Sequence, residues 1–327
     1  MTVAVPAATF AAPVWRRHLA ALALVSVAIL LVFRADVARL VGIWWTGDAY
    51  GHCLMVAPIV AWLVWQRRSG LAQLTPVAWA PGLLIVATGS AGWLLGEAAS
   101  ANFAQQLGLV LMLEGTAVTL LGPNVARALL FPLAYALFLV PFGAWLDAPL
   151  QQVTIAIVMP LLALIGLPAE SNGLVIHAGR YWFEVAEACS GAKFVLAMIV
   201  LGTLVTHLGF TSWRRRAVFM AAALVAPVLT NGVRAFLSIW GAHLMGIESV
   251  LGPGHLLAGW ALFAGMLAGL LALAWPHFDR APDAPAFDPA KLQRRVPRLD
   301  PALAVLMVLA IVAGARLLAS VGLRPIA

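Results

Sequence analysis

Charged residues and cysteines are both scarce in this chain. Only 10% of its 327 residues are charged and 63% are hydrophobic, whereas soluble domains have roughly 25% charged and 45–50% apolar residues. The mean hydropathy is +0.97. This composition excludes an ordinary soluble protein and indicates an integral membrane protein. The two cysteines, Cys53 and Cys189, are too few for a disulfide framework.

Motifs for nucleotides and metals are also absent from the sequence. It contains no Walker loop, no dinucleotide-binding fingerprint and no His-Glu-x-x-His pair. Asp48, His52 and Cys53 lie close together, but their spacing is not that of the usual zinc sites. We therefore expect neither a cofactor nor a metal.

The apolar runs are long and continuous. They extend to roughly 20 residues, the length of a helix that crosses a hydrocarbon core of about 30 Å. Strands of a membrane barrel instead alternate apolar and polar residues over about 10 positions. The sequence therefore predicts an all-α polytopic membrane protein.

Arginines define the predicted topology. Most of them lie at the ends of apolar runs, where the positive-inside rule places them in the cytoplasm. The net charge of +7 is thus explained without a nucleic-acid partner, and we predict none. The strongest cytoplasmic signal is Arg214–Arg216. With the N-terminus inside, alternation gives nine spans at about residues 18–33, 50–65, 79–96, 103–121, 128–145, 190–209, 217–233, 255–275 and 301–320.

Two further apolar stretches fit no span. Residues 150–168 are interrupted by Pro160, and residues 235–247 are shorter than the roughly 17 residues that a span needs. We predict that both lie in the outer interface or re-enter from it. The partly alternating segment before Cys189 predicts a small outer hairpin that turns at "HAGR".

The chain is predicted to contain three parts. Residues 1–275 form the membrane-embedded core, and residues 276–300 form a basic cytoplasmic linker. Residues 301–327 add a C-terminal transmembrane helix.

Three reactive residues converge at one depth in this topology. Cys189 begins a helix at the outer face, Arg234 ends one there, and His255 begins another. Each has a structural alternative. A free cysteine packs like a small apolar residue, an arginine near a span end extends to the interface, and a histidine at a helix start is exposed to headgroups. Their coincidence favours chemistry, because a nucleophile, a base and a fixed cation have to meet on one side.

These residue types suit acyl transfer. A helix N-terminus or a cation stabilises a cysteine thiolate, and the helix predicted to begin at Ser190 offers its amides to the thiol of Cys189. A histidine takes a thiol proton and returns it to a leaving amine. An arginine stabilises an oxyanion or anchors a carboxylate. Glu187 either orients the histidine, contacts the substrate, or is a solvated loop acid.

The motifs around these residues resemble one family. "EACSG" with Cys189, "NGVR" with Asn231 and Arg234, and "HLLAGW" with His255 resemble, in this order, the three motif blocks of the exosortase/archaeosortase family. The upstream segments "AYGHCLMVAPIVAWLVWQRR" and "VPFGAWLDAPLQ" are similar to bacterial exosortases of the exopolysaccharide-associated type. The resemblance covers roughly residues 44–275.

The resemblance implies a cysteine protease or transpeptidase of the bacterial inner membrane, with its active site facing the periplasm. The implied partners are membrane lipid and exported, membrane-anchored proteins whose C-terminal signal combines a motif such as Pro-Glu-Pro, a transmembrane helix and a basic tail. A glycan or lipid acceptor, or water, would resolve the thioester acyl-enzyme.

The resemblance also implies roles for individual residues. Cys189 is the implied nucleophile, Arg234 the catalytic or substrate-orienting cation, and His255 the acid/base. His243 lies between the last two, but the match of "HLLAGW" favours His255. Beside them, Glu187, Ser190 and Asn231 are predicted to bind substrate or to support the site.

A transporter or flippase of lipid-linked saccharide is the alternative function. Such proteins place polar sites near the bilayer midplane, often in repeated halves. The sequence contains no internal repeat, and its polar residues collect at one face. These features favour the enzyme.

Overall fold

The structure is a computed structural model that describes residues 13–47, 49–250, 253–281 and 284–322. Its helices are α1 (Pro13–Val32), α2 (Arg34–Thr46), α3 (Cys53–Gln66), α4 (Arg68–Leu71), α5 (Gly82–Ala98), α6 (Asn102–Ala128), α7 (Leu130–Ala136), α8 (Asp147–Leu164), α9 (Ala192–Gly209), α10 (Trp213–Met245), α11 (Pro253–Ala274), α12 (Pro289–Leu292) and α13 (Pro301–Gly322). Its strands are β1 (Ala169–Asn172), β2 (Val175–Ala178) and β3 (Tyr181–Glu184).

The predicted all-α polytopic membrane fold is confirmed. Within the described ranges, seven helical stretches are long and apolar enough to cross a bilayer: Pro13–Val32, Asn102–Ala128, Ala144–Leu164, Ala192–Gly209, Trp213–Met245, Leu257–His277 and Pro301–Val321. Three shorter apolar helices, Cys53–Gln66, Gly82–Ala98 and Leu130–Leu139, occupy the positions of further predicted spans. The figure of about nine spans stays a prediction.

The described residues fall into two compact units. The first takes its residues from Met1–Gly47, Cys53–Phe142 and Pro285–Ala327, and the second from Asp48–His52 and Gly143–Ala284. These units are groupings in space. The division of the sequence at residues 275 and 300 therefore remains a prediction.

The first unit is held together by α5 and α6, with α1 and α13 against them. Its buried core is formed by apolar side chains of these four helices, including Ile29, Trp93, Met112 and Val308. The helices α5 and α6 approach closely at a glycine, since a Cβ on Gly89 would lie 2.7 Å from the backbone oxygen of Gly108. Small residues at such crossings allow tight packing between membrane helices.

The second unit combines α8–α11 with the sheet. The sheet is antiparallel in the order β1-β2-β3, and its second hairpin turns at Gly179 and Arg180. The hairpin predicted at "HAGR" is thus confirmed, with one additional strand before it. Apolar residues of α8, the sheet and the end of α10 share one buried cluster, which includes Val158, Ile176 and Ile239.

The interruption predicted within residues 150–168 is wrong. The helix α8 continues through Pro160 to Leu164. Near its start, Gln151 is buried and donates to the carbonyl of Val185 at 2.7 Å, whereas Gln152 is exposed. Neither glutamine ends the helix.

Residues 235–247 are not a separate segment either. Through Met245 they belong to α10, a single helix of 33 residues, which is about 50 Å long. Arg234 consequently lies inside a helix and not at its end, which corrects the prediction. It follows Trp213 by 21 residues, or about 31 Å, so it lies roughly one hydrocarbon thickness from Arg214–Arg216.

Candidate active site

Cys189 lies in a short turn that precedes α9. A 3-10 helix spans Glu187–Cys189, Gly191 adopts a left-handed conformation, and α9 begins at Ala192. The helix therefore starts two residues later than the sequence predicts. The free thiol of Cys189 is half-buried, and Glu187 is exposed.

Ser190 supports this turn from a buried position. Its hydroxyl donates to Asp147 Oδ1 at 2.6 Å and accepts the N–H of Ala192 at 3.1 Å. The first amide of α9 is thus bonded to Ser190. This amide is therefore not free for the thiol of Cys189, while the expectation that the amides of α9 favour the thiolate stays a prediction. Ser190 anchors the start of α9 to the start of α8.

Asn231 connects the cysteine turn to the arginine. Its side chain is 1% exposed. The amide nitrogen donates to the backbone carbonyl of Cys189 at 2.9 Å and to Thr154 Oγ1 at 3.1 Å. The amide oxygen accepts a hydrogen bond from Arg234 Nη2 at 3.0 Å. Asn231 therefore fixes the backbone of Cys189 and the guanidinium of Arg234 in one arrangement.

Arg234 borders a cavity of about 540 Å³, which we call the Arg234 cavity. Further members of its wall are His52, Lys193, Phe194, Trp260 and Phe263. The rings of Phe194 and Phe263 stack at 4.8 Å. Arg234 and Lys193 lie 5.9 and 5.5 Å from the centre of the Phe194 ring, within the range of cation–π attraction.

His52 belongs to this cavity, although the sequence suggested it only as a discarded zinc ligand. It precedes α3 and lies outside that helix. Burial lowers the pKa of His52, and a hydrogen bond to the backbone of Ala49 partly offsets that effect. Its Nε2 is buried and has no hydrogen-bond partner among the described residues.

The first turn of α11 contains the backbone of His255, but the side chain of His255 lies outside the described part of the structure. One turn later, a Cβ on Gly259 would lie 3.5 Å from Arg234 Cδ. Positions four residues apart share one side of a helix. The backbone position of His255 is thus on the side of α11 that approaches Arg234.

The competing histidine, His243, lies elsewhere. It is exposed near the end of α10, close to Gly179 in the turn between β2 and β3. It follows Arg234 by nine residues, or about 13 Å along the helix. His243 is therefore at the sheet, outside the wall of the Arg234 cavity.

Four residues of this arrangement were not predicted as site residues. They are Asp147, Thr154, His52 and Lys193. Asp147 lies in "VPFGAWLDAPLQ" and His52 in "AYGHC", two of the segments that carry the family resemblance. The family resemblance of these two segments was the signal by which Asp147 and His52 could have been identified from the sequence. Across the described ranges, no group of three His, Cys, Asp or Glu side chains could hold a metal ion.

The fold and this site define a polytopic helical membrane protein in which a cysteine turn is hydrogen-bonded to a partly buried arginine. The chain belongs to the family described as transmembrane exosortase (Exosortase_EpsH), whose model matches residues 44–272. The family supports a general role in protein processing at the membrane. No curated protein and no solved structure matches the chain at a significant level.

Proposed function

We propose that this protein is a membrane cysteine protease and transpeptidase. Its substrates are exported proteins with a C-terminal Pro-Glu-Pro-type sorting signal, which it cleaves beside the substrate's transmembrane helix and transfers through a thioester. The observation that carries the proposal is the hydrogen-bonded connection from Cys189 through Asn231 to Arg234.

Cys189 acts as the nucleophile in this mechanism. Its thiolate attacks the scissile carbonyl, and the carbon–nitrogen bond of the resulting intermediate then breaks. The departing amine takes a proton, and the acyl group remains on the sulfur as a thioester. His255 is the proposed acid/base, which first takes the thiol proton and then gives it to the leaving amine.

Arg234 acts on the oxyanion or on a substrate carboxylate. Arg234 Nε is buried and has no hydrogen-bond partner among the described residues, while Nη2 is held by Asn231. The guanidinium is thus held through Nη2, and Nε is a further donor that no described residue occupies. A fixed donor of this kind stabilises developing negative charge without reorganising during the reaction.

The site is proposed to face the periplasm of a bacterial inner membrane. Its support is the distance along α10, since 18 to 20 residues, or about 27–30 Å of helix, separate Arg234 from Arg214–Arg216. With that basic end in the cytoplasm, Arg234 lies at the outer face. A substrate helix lying in the bilayer would present its outer end at this depth.

The test is to replace the two cysteines separately. Cys189→Ala and Cys189→Ser are each co-expressed with a substrate that carries the three-part signal, and processing is followed by immunoblot. Both variants should leave the substrate uncleaved. Cys53→Ala removes the other thiol and is the matched control, which should process the substrate. Cleavage that persists in both Cys189 variants would refute the assignment.

A further inference from the structure

Two buried polar nitrogens that have no hydrogen-bond partner among the described residues belong to side chains that line the Arg234 cavity. One is Arg234 Nε and the other is His52 Nε2. Buried polar groups in proteins are nearly always hydrogen-bonded, so each exception calls for an explanation. Both residues occur in the wall of one cavity, and a bound molecule there would explain both.

The hydrogen bonding of His52 indicates which of its nitrogens is free to accept a proton. A hydrogen bond with the backbone of Ala49 raises the pKa of the His52 ring. The ring is therefore the donor, and the carbonyl of Ala49 is the acceptor. Since Nε2 has no partner among the described residues, the N–H that donates to Ala49 is at Nδ1. In the neutral ring, Nε2 is then the unprotonated nitrogen with its lone pair available.

The surroundings of His52 favour that neutral form. Burial opposes a positive charge on the ring, and Lys193 and Arg234 already place two cations in the wall of the same cavity. A buried histidine with a purely structural role usually has its polar atoms hydrogen-bonded. Within the described part of the chain, His52 bonds one nitrogen and leaves the other as an acceptor.

We propose that His52 is the base that activates the nucleophile which resolves the acyl-enzyme, and that the Arg234 cavity admits this nucleophile. The inference rests on the proposed cysteine mechanism. In this step, water or an acceptor bearing a hydroxyl or amine attacks the thioester carbonyl of Cys189. Its proton passes to His52 Nε2, the carbon–sulfur bond breaks, and Cys189 leaves as the thiolate.

The size of the cavity fits this assignment. Its volume of about 540 Å³ exceeds the roughly 30 Å³ share of one water molecule many times, so an organic acceptor fits as well as water. Because His52 is part of the wall, a molecule in the cavity lies against this residue. Its Nε2 is buried, so the hydrogen bond to the nucleophile requires a small rotation of the ring. Hydrogen bonds that perform catalysis often form only when the ligand is bound.

The proposal divides the two proton transfers between two histidines. His255 serves the first half of the reaction, in which the amine departs, and His52 serves the second half. Loss of His52 should therefore leave the first cleavage intact and should trap the enzyme as its thioester.

The test uses His52→Gln and His52→Ala in the full-length protein, purified with a substrate that carries the three-part signal. We expect His52→Gln to cleave about one substrate per enzyme and to accumulate a covalent adduct that hydroxylamine releases. Its steady-state turnover should fall by about 10²–10⁴-fold, the usual contribution of a general base. Imidazole in the medium should restore turnover to His52→Ala. The matched control is His243→Gln, which removes an exposed histidine outside the cavity and should behave like the parent protein.

The outcomes separate this proposal from the one on Cys189. If His52→Gln forms no hydroxylamine-sensitive adduct, the assignment of His52 to the second half of the reaction is overturned, whatever the turnover of the variant. Failure of imidazole to restore His52→Ala overturns its role as a base. The Cys189 assignment fails instead when Cys189→Ala still processes the substrate.

Discussion

Replacing Gly191 with alanine adds a single methyl group, yet it should damage the candidate active site. Gly191 has a φ of +84°, which favours glycine, and it packs directly on Asn231. An alanine Cβ at this position would lie 2.7 Å from Asn231 Cγ and 2.8 Å from Asn231 Cβ. Because Asn231 Cβ is next to the backbone of α10, it cannot move aside at low cost.

The magnitude follows from two separate effects. A left-handed conformation costs a residue other than glycine about 1–2 kcal/mol. Overpacking of a well-packed interior adds about 1–3 kcal/mol. The Gly191→Ala variant should therefore lose roughly 2–5 kcal/mol of stability. A displaced Asn231 would also lose its bonds to the carbonyl of Cys189 and to Arg234, so processing should fall as well.

Gly173→Ala is the matched control for the conformational cost alone. Gly173 has a φ of +62°, and a Cβ there would meet nothing within 4 Å. The assay compares the thermal unfolding of both variants in detergent and their processing of a co-expressed substrate. Gly191→Ala should be less stable than Gly173→Ala by about 1–3 kcal/mol, and only Gly191→Ala should lose processing. Equal stability and equal processing in the two variants would refute this account of Gly191.

Two further predictions concern the start of the linker and the orientation of α8. Asp279 accepts the backbone N–H of Thr211, which holds the pKa of its carboxyl below the usual value of 3.8. The stabilisation of the folded state by this carboxylate should be present above that value and should vanish as the pH falls through the lowered pKa. Asp279→Asn should therefore reduce the unfolding temperature at about pH 7 and much less near pH 3. Single cysteines at Leu150 and Pro168, in a chain without its natural cysteines, should react with an impermeant thiol reagent from the same side of the membrane. Labelling from opposite sides would mean that α8 crosses the bilayer.

The sequence predicted those parts of the fold that leave a local pattern. Long apolar runs predicted membrane helices, and the turn residues at "HAGR" predicted the hairpin. Hydropathy does not show whether two neighbouring apolar runs are one helix. The run after Arg234 was therefore separated wrongly from α10, and α8 was predicted to break at Pro160.

The candidate site was predictable in its motifs but not in its connections. Cys189, Asn231 and Arg234 were identified from the sequence, and the structure links them by hydrogen bonds. The bond between Ser190 and Asp147 joins residues 43 positions apart, and His52 reaches the cavity from a distant loop. Contacts of this kind arise from tertiary packing and produce no periodic signal in the sequence.

The residues that pack beside α8 bear on its predicted depth in the membrane. Near the start of the helix, Asp147 bonds Ser190 and Gln151 bonds the carbonyl of Val185. Further along, Leu162 lies in one apolar cluster with Ile176 of the sheet. The segment that follows the sheet therefore contacts the start of α8, and the sheet itself shares a cluster with its later part.

A small open sheet is not tolerated in the hydrocarbon region, because its edges would leave backbone groups unsatisfied in lipid. The strands β1 and β3 are such edges, and most of their residues are exposed. The helix α8 begins at the depth of Cys189 and extends with the sheet along the end of α10, away from Arg214–Arg216. Although α8 is long and apolar enough to span, this packing favours a position at the outer interface. The interfacial position, which the sequence predicted from the alternation of spans as well as from Pro160, stays a prediction. The packing of the sheet is an argument for it that needs no interruption of the helix.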